Sequence, residues 1–321
     1  MFGQTEVTWL NKKIMNLNKL LGLLFLIIIV SCNNNHKEAT VVDFADTISN
    51  EHNISLNTER EVYIAIASMT SPKETYIYYN DLINYISDKV GYPIYIKQKK
   101  TYEEVNLLLE NSEVDFAFIC SGAFVDEYER GKIKILVAPE IDNKLSYNAY
   151  IISHKDLGKE RFQDFENGSF AFTDPLSNTG RFYPLKKLSL LNKSESEFFR
   201  KTIFTYGHDI SIQMVNRGII DGASVHGLIY EYLATYYPKR VENIEVVEKS
   251  EDYGIPPVVT PVSLSKEYYE DYQRVFMNIH KDSVGRKILE KLNIDRFVIV
   301  GDDIYKSVIE LKETVDNVES K

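Results

Sequence analysis

The sequence predicts an α/β protein of two lobes, each a mostly parallel sheet flanked by helices, with a ligand cleft between the lobes. Three observations carry that expectation. Short apolar, β-rich runs alternate with helix-period segments over short connections, the pattern of βαβ units. The alternation restarts after Tyr147, giving two units of similar size. No Gly/Ser-rich linker separates them, so strands must cross between the lobes, and a cleft at such a crossing is a common ligand site. Composition agrees. A chain of 321 residues has room for about two domains or one domain in two lobes. With 44% hydrophobic residues, 22 Tyr and 16 Phe it can bury a real core, and 2 Cys cannot staple so long a chain.

Residues 20–30 form an uncharged apolar run of eleven. That is shorter than the about 20 residues a spanning helix needs and fits the apolar segment of a secretion signal. Lys12, Lys13 and Lys19 supply its positive flank, and Met15 is a sufficient alternative start. The run ends in Ile29-Val30-Ser31-Cys32, which resembles a bacterial lipobox, with Cys32 as the lipid acceptor. The alternative is a short anchor or a buried helix. Residues 1–31 are therefore expected to be a lipoprotein signal, and 32–59, polar and Asn-rich, a flexible tether in which His36 is solvated. Lobe 1 is expected over 60–146, completed by 260–321, and lobe 2 over 147–259.

Residues 62–67 are a continuous apolar run, as in a buried strand. Tyr79, Leu82, Ile83, Ile86 and Val90 then share one helix face, and Gly91 stands where a helix end favours it. Residues 94–96 predict a strand, 102–109 a helix, and 114–119 and 133–137 two further strands. Beyond Tyr147, strands are expected at 170–173, 203–205, 223–225 and 244–249, and helices at 178–190, 210–217 and 228–236. Residues 258–262 lead into a last predicted helix, 268–280.

The net charge of −10 argues against a bulk phosphate-backbone binder, so no nucleic-acid partner is expected. A few local donors can still capture a small anion against that field. No G-x-S-x-G elbow, Walker A loop or H-E-x-x-H motif is present. The six His show no ligand spacing, so neither a metal nor a cofactor is expected. Glu103-Glu104 and Glu267/Glu270 read as solvated helix faces.

Three strand-to-helix turns carry the possible chemistry. Thr173-Asp174-Pro175-Leu176-Ser177-Asn178-Thr179-Gly180 brings hydroxyls, an amide and backbone N–H groups to a helix start. That is either an oxyanion cradle or a plain cap, with Ser177 or Asn178 as N-cap. Tyr206-Gly207-His208-Asp209 offers an imidazole N–H to an anion, with Asp209 capping the helix or orienting the ring. Cys120-Ser121-Gly122-Ala123 lies at the edge where open α/β sheets bind ligands, with Cys120 read as an apolar filler.

Together these turns resemble the periplasmic phosphate/phosphite/phosphonate-binding proteins of ABC importers, over roughly residues 61–280. Residues Asp174 to Pro184 are similar to the family's D-P-x-S-x-S-G-x-x-x-P loop, Tyr206-Gly207-His208-Asp209 to its G-S-H-[DE] motif, and Gly218 to Ala223 to its G-x-V-D-A-G-A strand entry. The resemblance implies a type II periplasmic-binding-protein fold and no enzymatic activity. It also implies a lipid-anchored monomer at the bacterial envelope that hands a small phosphorus oxyanion to permease and ATPase subunits. Carried over by position, the ligand residues are Ser177, Asn178, Thr179, Gly180 and His208, with Tyr147 on the hinge side and Ser121 on the opposite lobe.

The chain departs from the family at three places. Cys120-Ser121 and Phe124 replace a Gly-Pro turn and a Tyr. Ile255-Pro256-Pro257-Val258-Val259 replaces I-P-N-D-P, removing an Asp that could hold an aminoalkyl ammonium. Arg181 replaces a commonly aromatic position and is expected either to strengthen anion binding or to face solvent. A sensor partnering a membrane receptor and a phosphate-ester hydrolase are the alternative functions.

Overall fold

The structure, a computed structural model, describes residues 60–319. The expected signal segment, Cys32 and the tether lie outside those residues. Among the described residues no helix is long and apolar enough to cross a membrane.

The chain opens with β1 (Val62–Ile66) and α1 (Pro72–Val90). Pro72 fits the first helical turn, where an N–H has no intrahelical partner, and Gly91 ends the helix in the left-handed region at φ 81°. Next come β2 (Ile94–Gln98) and α2 (Tyr102–Glu110), whose start is fixed by a reciprocal capping box between Thr101 and Glu104. β3 (Phe116–Phe118), α3 (Ser121–Glu129) and β4 (Ile133–Glu140) complete the first pass. The chain then crosses through β5 (Ser146–Tyr147) to β6 (Ala149–His154) and β7 (Ser169–Phe172).

After a π-helical turn, Asn178–Phe182, come α4 (Tyr183–Leu190), α5 (Glu195–Phe198) and β8 (Lys201–Phe204). α6 (His208–Asn216), β9 (Gly222–His226), α7 (Gly227–Tyr236) and β10 (Ile244–Lys249) follow. The return runs through β11 (Tyr253–Gly254) to β12 (Val258–Pro261), then α8 (Lys266–Phe276), α9 (Ser283–Lys291), β13 (Arg296–Val298) and α10 (Lys306–Glu319).

These strands form two mixed sheets, ordered β13-β4-β12-β3-β1-β2 and β10-β6-β9-β7-β8. In the first, β2, β1, β3 and β4 run one way, and β12 and β13 oppose them. In the second, β6 alone opposes the other four. β6 and β12 are the first strands entered after each crossing. A chain arriving from the other lobe enters at the cleft edge and must run away from it, whereas the strands fed by crossover helices run toward it, β13 at the sheet edge excepted. The crossings pair with each other as a two-stranded antiparallel ribbon, Tyr147 opposite Tyr253 and Ser146 opposite Gly254.

Alternate residues of β1 explain the layering. Val62, Ile64 and Ile66 pack into a core with α1, α8 and α9, while Ala65 faces a second core on the other side of the sheet. That second core continues into the other lobe. It joins Val105 and Leu109 of α2 to Phe170 and Phe172 of β7, and to Val308, Leu311 and Val315 of α10. The chain re-enters the first sheet at Val258, just ahead of the expected 260, and α10 leans on both lobes.

Candidate functional site

Turns leaving the C-terminal ends of β1, β3, β7, β8 and β9 face one another across the junction of the two sheets, with the β5–β11 ribbon beside them. Open α/β sheets place ligands at this edge.

The turn from Thr173 to Gly180 is buried except at Pro175, which is exposed, and Leu176, which is half-buried. Thr173, Ser177, Asn178 and Thr179 are each 0% exposed. Ser177 is the N-cap of the helical segment: its Oγ accepts from Gly180 N at 3.0 Å, and its carbonyl accepts from Arg181 N and Phe182 N, both at 3.0 Å. The cap reading therefore holds for Ser177, and these amides are engaged within the chain. Gly180 permits a close approach of side chain rather than of ligand: a Cβ there would stand 1.7 Å from Thr173 Oγ1. Different atoms remain without a partner. Thr179 Oγ1, Asn178 Oδ1 and Thr173 Oγ1 are buried and make no hydrogen bond, although Asn178 Nδ2 donates to Tyr147 OH at 3.2 Å.

His208 begins α6 and is 0% exposed. Its Nδ1 accepts from His226 N at 3.0 Å, so the neutral ring carries its proton on Nε2. That Nε2 has no partner. Burial, and then the neighbouring His226, push its pKa well below the ordinary value, so the ring is an uncharged donor. Burial also pushes His226 down to about 3. The His226 ring packs on Tyr147 at 4.3 Å between centroids and lies 5.7 Å from His208. Tyr147 is 2% exposed, and burial raises its hydroxyl pKa well above the ordinary value.

Lobe 1 contributes Ser121, whose Oγ donates to Gly254 O at 2.6 Å and so ties α3 to the crossing ribbon. Cys120 is a buried filler whose thiol pKa is raised by burial. Phe124, noted above as a departure from the family's Tyr, packs at a tilt against Tyr128 and Tyr305. The lobes approach closely at Gly122, where a Cβ would meet Leu176 O at 2.4 Å and Asn178 N at 2.8 Å. Arg181 does not face solvent. Its side chain is 18% exposed, 3.9 Å from Glu195 and above the faces of Phe172 and Phe204. Its charge is engaged there.

Hydrogen bonds cross the cleft. His208 N donates to Met69 O at 2.9 Å. Asp209 Oδ1 accepts from Ser71 N at 2.8 Å, at the start of α1, where the Ser71 side chain makes no cap bond of its own. Asp174 Oδ2 accepts from Tyr102 N at 3.1 Å, in the first turn of α2, and its Oδ1 from Leu176 N at 2.9 Å. Burial raises the Asp174 pKa against these bonds. Asp209 therefore neither orients the imidazole nor closes a cap on its own helix. Both carboxylates cap helices of the opposite lobe, in line with the partial positive charge at a helix start. Lys100 lies over the Tyr206 ring at 4.5 Å, adding a further contact across the same seam.

The sequence reading passed over His226, Tyr102 and the crossing role of Asp174. His226 had one available signal, since it ends β9 at the same edge where His208 follows β8. Among the described residues, no group of three or more His, Cys, Asp or Glu is placed to hold a metal. Chemically the site offers neutral hydroxyl and imidazole donors in a water-poor enclosure. That arrangement suits an oxyanion supplying its own charge.

The family described as "ABC transporter, phosphonate, periplasmic substrate-binding protein" matches residues 64–305. A probable ABC transporter phosphite-binding protein, PhnD1 of Prochlorococcus marinus (strain MIT 9301), is 24% identical over 197 residues, or 53% of this chain and 66% of that protein. The match thus spans slightly less than two thirds of that relative's length. Among solved structures, a binding protein component of an ABC phosphonate transporter from Pseudomonas aeruginosa superposes with a TM-score of 0.76 at 19% identity, covering 81% of this chain and 87% of that one. PhnD1 of Prochlorococcus marinus in complex with methylphosphonate gives a TM-score of 0.72 at 17% identity, covering 80% and 98%. Both likenesses place the two-lobed fold among periplasmic binding proteins.

Proposed function

This chain belongs to the family of periplasmic substrate-binding proteins of phosphonate ABC transporters, and we propose that it captures a small phosphorus oxyanion (phosphonate, phosphite or phosphate) between its lobes for delivery to a permease and its ATPase. Residues 1–31 act as the signal, Cys32 carries the lipid, and 32–59 tether a monomeric receptor to the envelope membrane. The lobes move on the β5–β11 ribbon. The observation that supports this reading best is the pair of buried donors with no acceptor in the protein, Thr179 Oγ1 and His208 Nε2. An unsatisfied buried donor costs about 1–3 kcal/mol, and an oxyanion oxygen removes that cost. Asn178 and Tyr147 hold the wall beside them, while Ser177 and Gly180 shape the turn.

Calorimetric titration with phosphate, phosphite and methylphosphonate tests the site. Thr179→Ala and His208→Ala should each weaken the preferred anion by about 1.5–3 kcal/mol, the range for hydrogen bonds to charged groups, or roughly ten- to more than a hundredfold. Unchanged binding in both variants would place the site elsewhere.

A further inference from the structure

A cavity of about 160 Å³ lies between the lobes next to this cluster. Its floor is made of turns at the strand ends: Ala67 and Met69 after β1, Ile119 after β3, and His226 at the end of β9. Tyr78 and Tyr79 of α1 wall one side, Leu228, Ile229 and Tyr232 of α7 the other, and Pro256-Pro257 of the return crossing close the back. Tyr78 and Tyr232 meet edge to face across the cleft at 5.5 Å. Three charged side chains reach this space, and each is already matched. Glu74 pairs with Arg240 at 2.8 Å, Asp209 accepts from Ser71 N at 2.8 Å, and Lys291 pairs with Asp81 at 2.7 Å. Among the described residues that line the cavity, each carboxylate and the one cation thus has a partner, so none stands unpaired for an ammonium group or a second anion.

His226 is the wall common to cavity and anion cluster. Its ring lines the cavity, packs on Tyr147 and lies 5.7 Å from His208. An anion held by Thr179 and His208 can therefore extend a substituent past His226 into a space of hydrocarbon and aromatic surface. A cavity of about 150 Å³ with apolar walls accepts a benzene ring. We propose that the ligand is a phosphorus oxyanion carrying an apolar substituent of up to about phenyl size. Inorganic phosphite or phosphate would leave that surface uncovered, and an aminoalkylphosphonate would bring an ammonium group with nothing to pair it. The proposal rests on the anion reading given above. Phosphonates and phosphate monoesters share this chemistry, so both enter the test.

The purified protein is titrated with phenylphosphonate, phenyl phosphate, methylphosphonate, 2-aminoethylphosphonate, phosphite and phosphate. One of the phenyl compounds should bind roughly ten- to a hundredfold tighter than methylphosphonate, from the apolar area the ring removes from water, and the tighter of the two identifies the source. Ile229→Trp, which fills the cavity, should abolish that advantage and leave methylphosphonate binding within about threefold, which also shows that the variant is folded. If Ile229→Trp does not fold, Ile229→Phe is the smaller step, with the same expected sign. Equal affinity for phenylphosphonate and methylphosphonate, or 2-aminoethylphosphonate as the tightest ligand, overturns the proposal. In that case methylphosphonate binding that still falls with Thr179→Ala leaves the anion site standing. If no phosphorus oxyanion binds, the anion reading fails and takes this proposal with it.

Discussion

Replacing Asp209 with Ala should loosen the closed form. Its carboxylate accepts from Ser71 N at 2.8 Å across the cleft, at a helix start that the Ser71 side chain leaves uncapped. Loss of an N-cap costs about 0.5–2 kcal/mol, typically about 1. Because donor and acceptor belong to different lobes, the cost falls on closure rather than on either lobe alone. A ligand that must close an open cleft should therefore lose affinity by roughly two- to thirtyfold. Asp209→Asn keeps an acceptor and should lose less. Asp174→Ala removes a carboxylate that accepts from Tyr102 N and Leu176 N, so it should cost at least as much. The cross-cleft bonds of Asp209 to Ser71 N and of Asp174 to Tyr102 N engage different helices of lobe 1, and their effects should approximately add. Calorimetry with methylphosphonate measures the affinities, and small-angle scattering measures the radius of gyration with and without ligand. If the double variant binds as the wild type does and still contracts at saturation, the two carboxylates do not hold the cleft closed.

Three further outcomes are expected. Gly180→Ala forces Thr173 or the turn to move, because its Cβ would stand 1.7 Å from Thr173 Oγ1; urea unfolding should show a loss of about 1–3 kcal/mol, and no loss would mean the turn has slack. Burial lowers both His208 and His226, the latter to about 3, whereas the unfolded chain takes up these protons near 6.5. Their contribution to stability is full above about pH 6.5 and is lost as pH falls toward the folded values, so His226→Gln should remove about 1.4 kcal/mol per pH unit of slope between about pH 6 and 4. An identical slope in the variant would contradict the buried neutral ring. Cys32→Ala should leave folding intact and release the protein from the membrane fraction, and palmitate labelling of the variant would contradict lipidation at Cys32.

Much of this architecture was legible along the chain. Alternating apolar runs predicted the strands and crossover helices, because a buried parallel strand needs both faces apolar and its helix needs one. The absence of a flexible linker anticipated the two crossings, and the 173–180 and 206–209 turns were read where β7 and β8 end. Beyond 280 no element was read: β13 is a three-residue edge strand, too short to show a period, whereas α9 and α10 do carry apolar residues at helical spacing, as at Val308, Leu311 and Val315. The direction of β6 and β12 follows from the crossings, which no local pattern encodes.

The same division runs through the site. Sequence alone determined which residue types stand at the strand ends, and that the chain carries too little positive charge for a polyanion. Only the tertiary structure decided what each of them does. Ser177 and Gly180 shape the turn, Thr179 and His208 keep donors without acceptors, and Arg181 turns toward Glu195. Asp174 and Asp209 find partners 72 and 138 residues away. A residue's type fixes how many hydrogen bonds it is able to make, and packing fixes which are made. Whether a buried donor is left for a ligand depends on every neighbour that closes around it, and those neighbours come from both lobes.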